Sequence, residues 1–187
     1  VTYPSAHSLQ ALKALDINPG RMGCVMLDVE PLDLSGVIPQ EWAYTSENPD
    51  RKWVSGIQTK AHVTLLYGLL HNANRIKYAV DEVLEGWKPQ AVRVNAYDVF
   101  PSPFPDEPYG CVVARQLAPS PNLMQAHTRL SLLPHINTYP EYKPHVTLAY
   151  VRKEYVKDTL QALQKKFPLP RGFKPIGLNY GDDEEPC

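Results

Sequence analysis

HVTLLYG at residues 62–68 and HVTLAYV at residues 145–151 share the string His-Val-Thr-Leu-x-Tyr. Val, Thr and Tyr favour strands, so each copy reads as one. Residues two apart on a strand face the same way. His62 and Thr64 therefore share a face, as do His145 and Thr147. Val63, Leu65 and Tyr67 take the opposite face, as do Val146, Leu148 and Tyr150. That second face is apolar and should pack on a helix. By this parity both tyrosines belong to the core.

Working outward, residues 23–30 (GCVMLDVE) read as a buried strand. A weak helical spacing over 8–15 ends at Asn18-Pro19-Gly20. Residues 31–60 lack periodicity, carry Trp42, Tyr44 and Trp53 among prolines, and form a loop of the length that often serves function. A short helix near 39–43 interrupts it. Ile76, Val80, Val83, Leu84 and Trp87 have helical spacing over 74–87. Residues 90–100 alternate as a strand and form a broad, proline-looped hairpin with 109–115. Ser120-Pro121 starts a helix that runs to about 133. A further helix spans 152–167, with Val156, Leu160, Leu163 and Phe167 on one face, and a strand at 176–180 closes the chain. Each half carries a His-Val-Thr strand, then a helix, then a strand. This order predicts an α+β fold in a single domain, residues 1–187. It is an internal duplication whose lobes surround 62–64 and 145–147. Two antiparallel-type sheets face each other with helices outside, and an acidic tail occupies 181–187.

The formal net charge is −1, which argues against a long nucleic-acid duplex as partner. A nucleotide or short oligonucleotide needs only two or three local cations. No apolar run reaches membrane-spanning length. Three cysteines, Cys24, Cys111 and Cys187, form no C-x-x-C pair and read as reduced thiols, which predicts a cytoplasmic location. Nothing in the pattern asks for a second subunit, so the expectation is a monomer.

Imidazole exchanges protons near neutral pH, and two imidazoles supply an acid and a base to one reacting centre. Threonine hydroxyls donate hydrogen bonds to charged oxygens without competing as bases. A phosphodiester suits that set: one histidine activates the entering oxygen, the other protonates the departing oxygen, and Thr64 and Thr147 hold the non-bridging oxygens. His-x-Thr lacks the His-x-His or His-Glu-x-x-His spacing of zinc sites. The expectation is therefore catalysis with no metal and no cofactor.

The two HVTL strings resemble the signature of the two-histidine phosphoesterase superfamily, His-x-Thr/Ser written twice among apolar residues. That superfamily includes RNA-ligase-like proteins, cyclic nucleotide phosphodiesterases and several phage enzymes. The likeness extends over most of residues 22–180, and GIQTKAHVTLLYGL also resembles phage-encoded members. It implies a bilobal α+β fold with a central cleft and metal-independent phosphodiesterase chemistry. The substrates implied are 2′,3′-cyclic phosphates, 2′-5′ linkages or cyclic oligonucleotides, including the signals that phage enzymes degrade. His62 and His145 would be the acid–base pair, and Thr64 and Thr147 the phosphate binders. A non-catalytic module binding a nucleotide or RNA end, and a 2′-5′ RNA ligase, are the rival readings.

Lys60 and Lys143 each precede a motif histidine by two residues and are candidates to attract phosphate, against an ordinary role as solvated surface charges. Trp42, Tyr44, Trp53 and Phe104 are candidates to stack on a base, against a simpler role of pinning their own loops. Phe100, Arg51, Lys52 and Arg115 join them as lesser candidates. His71, His127 and His135 have no partner motif and read as surface or core-edge residues.

Overall fold

The computed structural model describes residues 22–137 and 141–181. The expected helix at 8–15 and the acidic tail beyond residue 181 lie outside the described residues. Among the described residues, eight strands and three helices follow in the order β1 (Gly23–Val29), β2 (Ala61–Leu69), α1 (Lys77–Val83), β3 (Val92–Val94), β4 (Ala96–Pro101), β5 (Tyr109–Arg115), α2 (Pro121–Leu130), β6 (His145–Arg152), α3 (Val156–Lys166), β7 (Arg171–Phe173) and β8 (Pro175–Asn179). Six strands form one sheet in the order β4-β5-β6-β2-β1-β8, with every adjacent pair antiparallel. β3 and β7 make a separate two-stranded ribbon.

The chain is thus α+β, and the motif strands β2 and β6 are neighbours at the middle of the sheet. They register at one pair, Val63 with Val146. Three strands lie on each side of that junction, β4-β5-β6 and β2-β1-β8, and all six belong to one hydrogen-bonded sheet where two facing sheets were expected, because β2 and β6 pair directly.

The expected apolar faces do pack on helices. α2 lies on β2, and α3 lies on β4, β5 and β6. Between them Val63, Leu65, Val146, Leu148, Val112, Ala114, Leu123, Ala126, Leu130 and Leu163 form the main core. α2 starts as read: the Ser120 hydroxyl accepts the Leu123 N–H at 3.4 Å, and Pro121 takes the first turn. Leu123, Ala126 and Leu130 then recur on its buried face. Lys165 and Lys166 end α3, where positive charge offsets the exposed carbonyls.

Some elements differ from expectation, each with a local cause. α1 is shorter than the span 74–87, because Asn72 Oδ1 accepts the Asn74 N–H at 2.8 Å and holds a turn there. The expected strand 90–100 is two strands. Asn95 separates them, and its side-chain oxygen accepts the Leu117 N–H at 2.9 Å, so β3 leaves the sheet to pair with β7. Cys111 is a free, buried thiol. Cys24 is disulfide-bonded, which corrects the expectation that all three thiols are reduced. No helix among the described residues is long and apolar enough to cross a membrane.

Candidate active site

One step each way from the Val63–Val146 pair, antiparallel register sets His62 opposite Thr147 and Thr64 opposite His145. Each motif then meets a bulge. Leu66 pairs with Val25 and Thr64 with Met26, so Leu65 is an extra residue in β2. Ala149 pairs with Val112 and Thr147 with Val113, so Leu148 is the extra residue in β6. The repeat therefore duplicates a bulge at the leucine of each HVTL. A bulge resets the alternation of side chains. This corrects the parity argument for the tyrosines. Tyr67 is half-buried in step with His62 and Thr64. Tyr150 packs with Tyr109, Cys111 and Val113, the residues of β5 that share the face of Thr147.

Beyond their one registered pair the motif strands part, and each gap is filled. The far half of β6 pairs with the loop before β2: the Gln58 N–H donates to Leu148 O at 2.9 Å, the Tyr150 N–H to Gly56 O at 2.8 Å, and the Tyr44 N–H to Tyr150 O at 2.9 Å. The far end of β2 pairs with the segment before β6 in the same manner: the Ile136 N–H donates to Gly68 O at 2.8 Å and the Leu70 N–H to Pro134 O at 3.1 Å. Gly68 is required here. Its φ is +97°, and a Cβ would lie 2.3 Å from Ile136 O. The loop of residues 31–60 is therefore partly a strand substitute, with two 3-10 turns at Gln40–Trp42 and Pro49–Arg51. The first of these coincides with the short helix expected there.

The two histidines have different neighbours across the sheet. Arg115 of β5 is the register partner of His145, and its Nε lies 2.7 Å from Asp98 Oδ2. Asp28 of β1 is the register partner of His62, and the Asn179 side-chain amide donates to both Asp28 oxygens at 3.2 and 3.3 Å. A cation thus flanks one motif and an anion the other. Asp28 and Asp98 were not singled out from sequence. A charged residue inside the otherwise apolar GCVMLDV was the available signal for the first.

His145 donates its Nδ1–H to the Lys143 carbonyl, 2.7 Å away. A carbonyl can only accept, so the proton sits on Nδ1 and the neutral ring presents a lone pair at Nε2. Burial pushes the His145 pKa from 6.5 down to about 4, with His62 and Arg115 acting in the same direction and the Lys143 hydrogen bond opposing them. Phe100 meets the ring edge-on at 5.0 Å. The Cys111 sulfur lies 4.0 Å from Thr147 Oγ1, and burial pushes that thiol's pKa up.

The remaining candidates divide. Tyr44 packs on Tyr109 at 5.4 Å, and Trp53 on Phe104 and Tyr150 at 6.2 and 6.0 Å. These rings join the cluster holding Tyr150, Cys111 and Val113, so they border the His145 half of the face. The Arg51 guanidinium lies 3.6 Å from the Phe104 ring centre and pairs with Asp106 and Glu107. Trp42 instead stacks on Tyr155 at 5.5 Å and belongs to the helix-side core, away from that cluster. Lys60 is exposed one residue before β2. Lys143 is exposed and paired with Glu141 at 3.2 Å, and it reaches His145 through its backbone carbonyl. Among the described residues no group of three or more His, Cys, Asp or Glu could hold a metal ion.

Comparison with known proteins gives a family. Among solved structures, Usb1 of Kluyveromyces marxianus is 11% identical, with 78% of this chain and 82% of that chain covered and a TM-score of 0.46. Its complex with uridine monophosphate is also 11% identical, with coverages of 79% and 85% and a TM-score of 0.45. No curated protein matches the chain. The family model of the 2′-5′ RNA ligase superfamily matches residues 41–177, from the loop before the first motif to the last strand. The chain therefore belongs to the 2′-5′ RNA ligase superfamily of two-histidine phosphoesterases.

Proposed function

We propose that the chain is a phosphodiesterase that cleaves a nucleotide phosphodiester by paired-histidine acid–base catalysis, without a metal. The observation that carries this reading is the single Val63–Val146 register pair, which sets each motif histidine opposite the other motif's threonine. The two three-stranded halves would be the lobes of a duplicated fold, and the motif face between them the substrate cleft.

In the proposed step, neutral His145 takes a proton at Nε2 from the attacking oxygen. That oxygen forms its bond to phosphorus, the P–O bond to the leaving group breaks, and His62 as imidazolium gives its proton to the departing oxygen. The burial that keeps His145 neutral favours the base role, which leaves His62, with the Asp28 carboxylate as its register partner, for the acid role. Thr64 and Thr147 would donate to the non-bridging oxygens. Lys60, Lys143 and Arg115 would draw the anion in. Tyr44, Trp53, Phe100 and Phe104 would give a base a surface beside His145, and Trp42 would hold its loop.

The test is a metal-free panel of 2′,3′-cyclic nucleotides, 2′-5′ oligonucleotides and cyclic oligonucleotides, with products identified by mass and excess EDTA present throughout. Turnover of at least one class in EDTA is expected. Binding of nucleotides with no product from any class would overturn the proposal and leave a binding module.

A further inference from the structure

The two motifs have the same letters but are held differently. In β6 the carbonyl of the extra residue, Leu148, accepts a backbone N–H, that of Gln58. In β2 the corresponding carbonyl, Leu65 O, accepts the Nδ1–H of His127 at 2.7 Å. The carbonyl before it, Thr64 O, accepts the hydroxyl of Tyr142 at 3.1 Å. His127 comes from α2 and Tyr142 from the approach to β6. Their rings lie parallel, 2° apart in tilt, with centroids 4.1 Å apart. The stacked pair therefore bridges helix, bulge and the segment leading into β6 at the point where β2 and β6 part.

We infer that His127 and Tyr142 form a positioning clamp for the first motif, fixing the bulge that aims His62 and Thr64 at the second. Buried carbonyls that lose their donors seek others, and at a bulge the backbone can turn to find them. The stack makes the two donors act together, because moving either ring opens the contact with the other. A shift of about 1 Å at such a site can cost on the order of a hundredfold in rate. The clamp acts through the Thr64 and Leu65 backbone.

This inference rests on the proposed catalytic pair for its purpose but not for its measurement. Tyr142→Phe removes one oxygen and keeps the stack. His127→Leu removes the second donor. His127→Asn keeps an N–H where Nδ1 stands. Ring titrations of His62 and His145, followed by NMR in labelled protein without substrate, report position relative to neighbouring charges. The expected result is a His62 midpoint moved by about half a pH unit or more in Tyr142→Phe and His127→Leu, and partly restored in His127→Asn, which regains the donor but not the stack. On whichever substrate the wild-type protein turns over, kcat should fall by roughly tenfold or more in the same two variants, with the same partial rescue. An unmoved His62 midpoint in Tyr142→Phe, with only a lowered Tm, would overturn the clamp. An inert wild-type protein with a moved midpoint would leave the clamp standing and sink the phosphodiesterase reading instead.

Discussion

Acidification should weaken this fold through one ring in particular. His145 has its pKa lowered from 6.5 to about 4, so the folded chain resists a proton that the unfolded chain accepts. The sign follows: stability from this group is full above pH 6.5, falls as pH drops through the window from 6.5 to 4, and changes no further below it. That lowering corresponds to about 3 kcal/mol at the upper limit. The ring is half-buried, and solvent screening sets the lower end at about 1 kcal/mol. Denaturant unfolding of the wild-type protein and of His145→Gln at a series of pH values from 7.5 to about 4 reads this directly. Glutamine does not titrate, and its amide can still donate to the Lys143 carbonyl. The wild-type protein should lose about 1–3 kcal/mol more than the variant across that window. Parallel pH profiles for the two proteins would refute the burial argument, and with it the reason for assigning His145 as the base.

Two further perturbations test other parts of the structure. Asp28→Asn removes the anion across the sheet from His62 and should move the basic limb of the kcat/KM profile to lower pH while leaving the acidic limb in place; a pH–rate profile checks it. Gly68→Ala puts a Cβ 2.3 Å from Ile136 O at a φ of +97° and should cost at least about 1–3 kcal/mol in a denaturant melt.

The sequence carried what depends on short range. The HVTL strings are strands because of their own residues, Ser120-Pro121 starts a helix because of its own chemistry, and Leu123, Ala126 and Leu130 face the core by spacing. Pairing partners decide the rest. Leu65 and Leu148 are bulged only because β1 and β5 run past them one residue short, so parity failed at Tyr67 and Tyr150 immediately beyond. The 43–58 loop has no strand pattern, yet it completes β6 because β2 turns away there. Asn95 looked like one position in an alternating run, and its side chain instead ends β3. His127 and Tyr142 lie on different elements, and no local signal announces that their rings stack. Arg115 was legible as a cation of interest, whereas its placement across from His145 required the register of β5 and β6.

The most direct measurement of the central claim compares turnover in His62→Ala, His145→Ala and the double variant. If the two rings serve the same phosphorus, each single variant should lose roughly 10²–10⁴-fold in kcat while remaining folded. The double variant should then be little worse than either single one, because groups that act as a unit are not additive. Wild-type turnover in either single variant, or losses that multiply in the double one, would contradict the account.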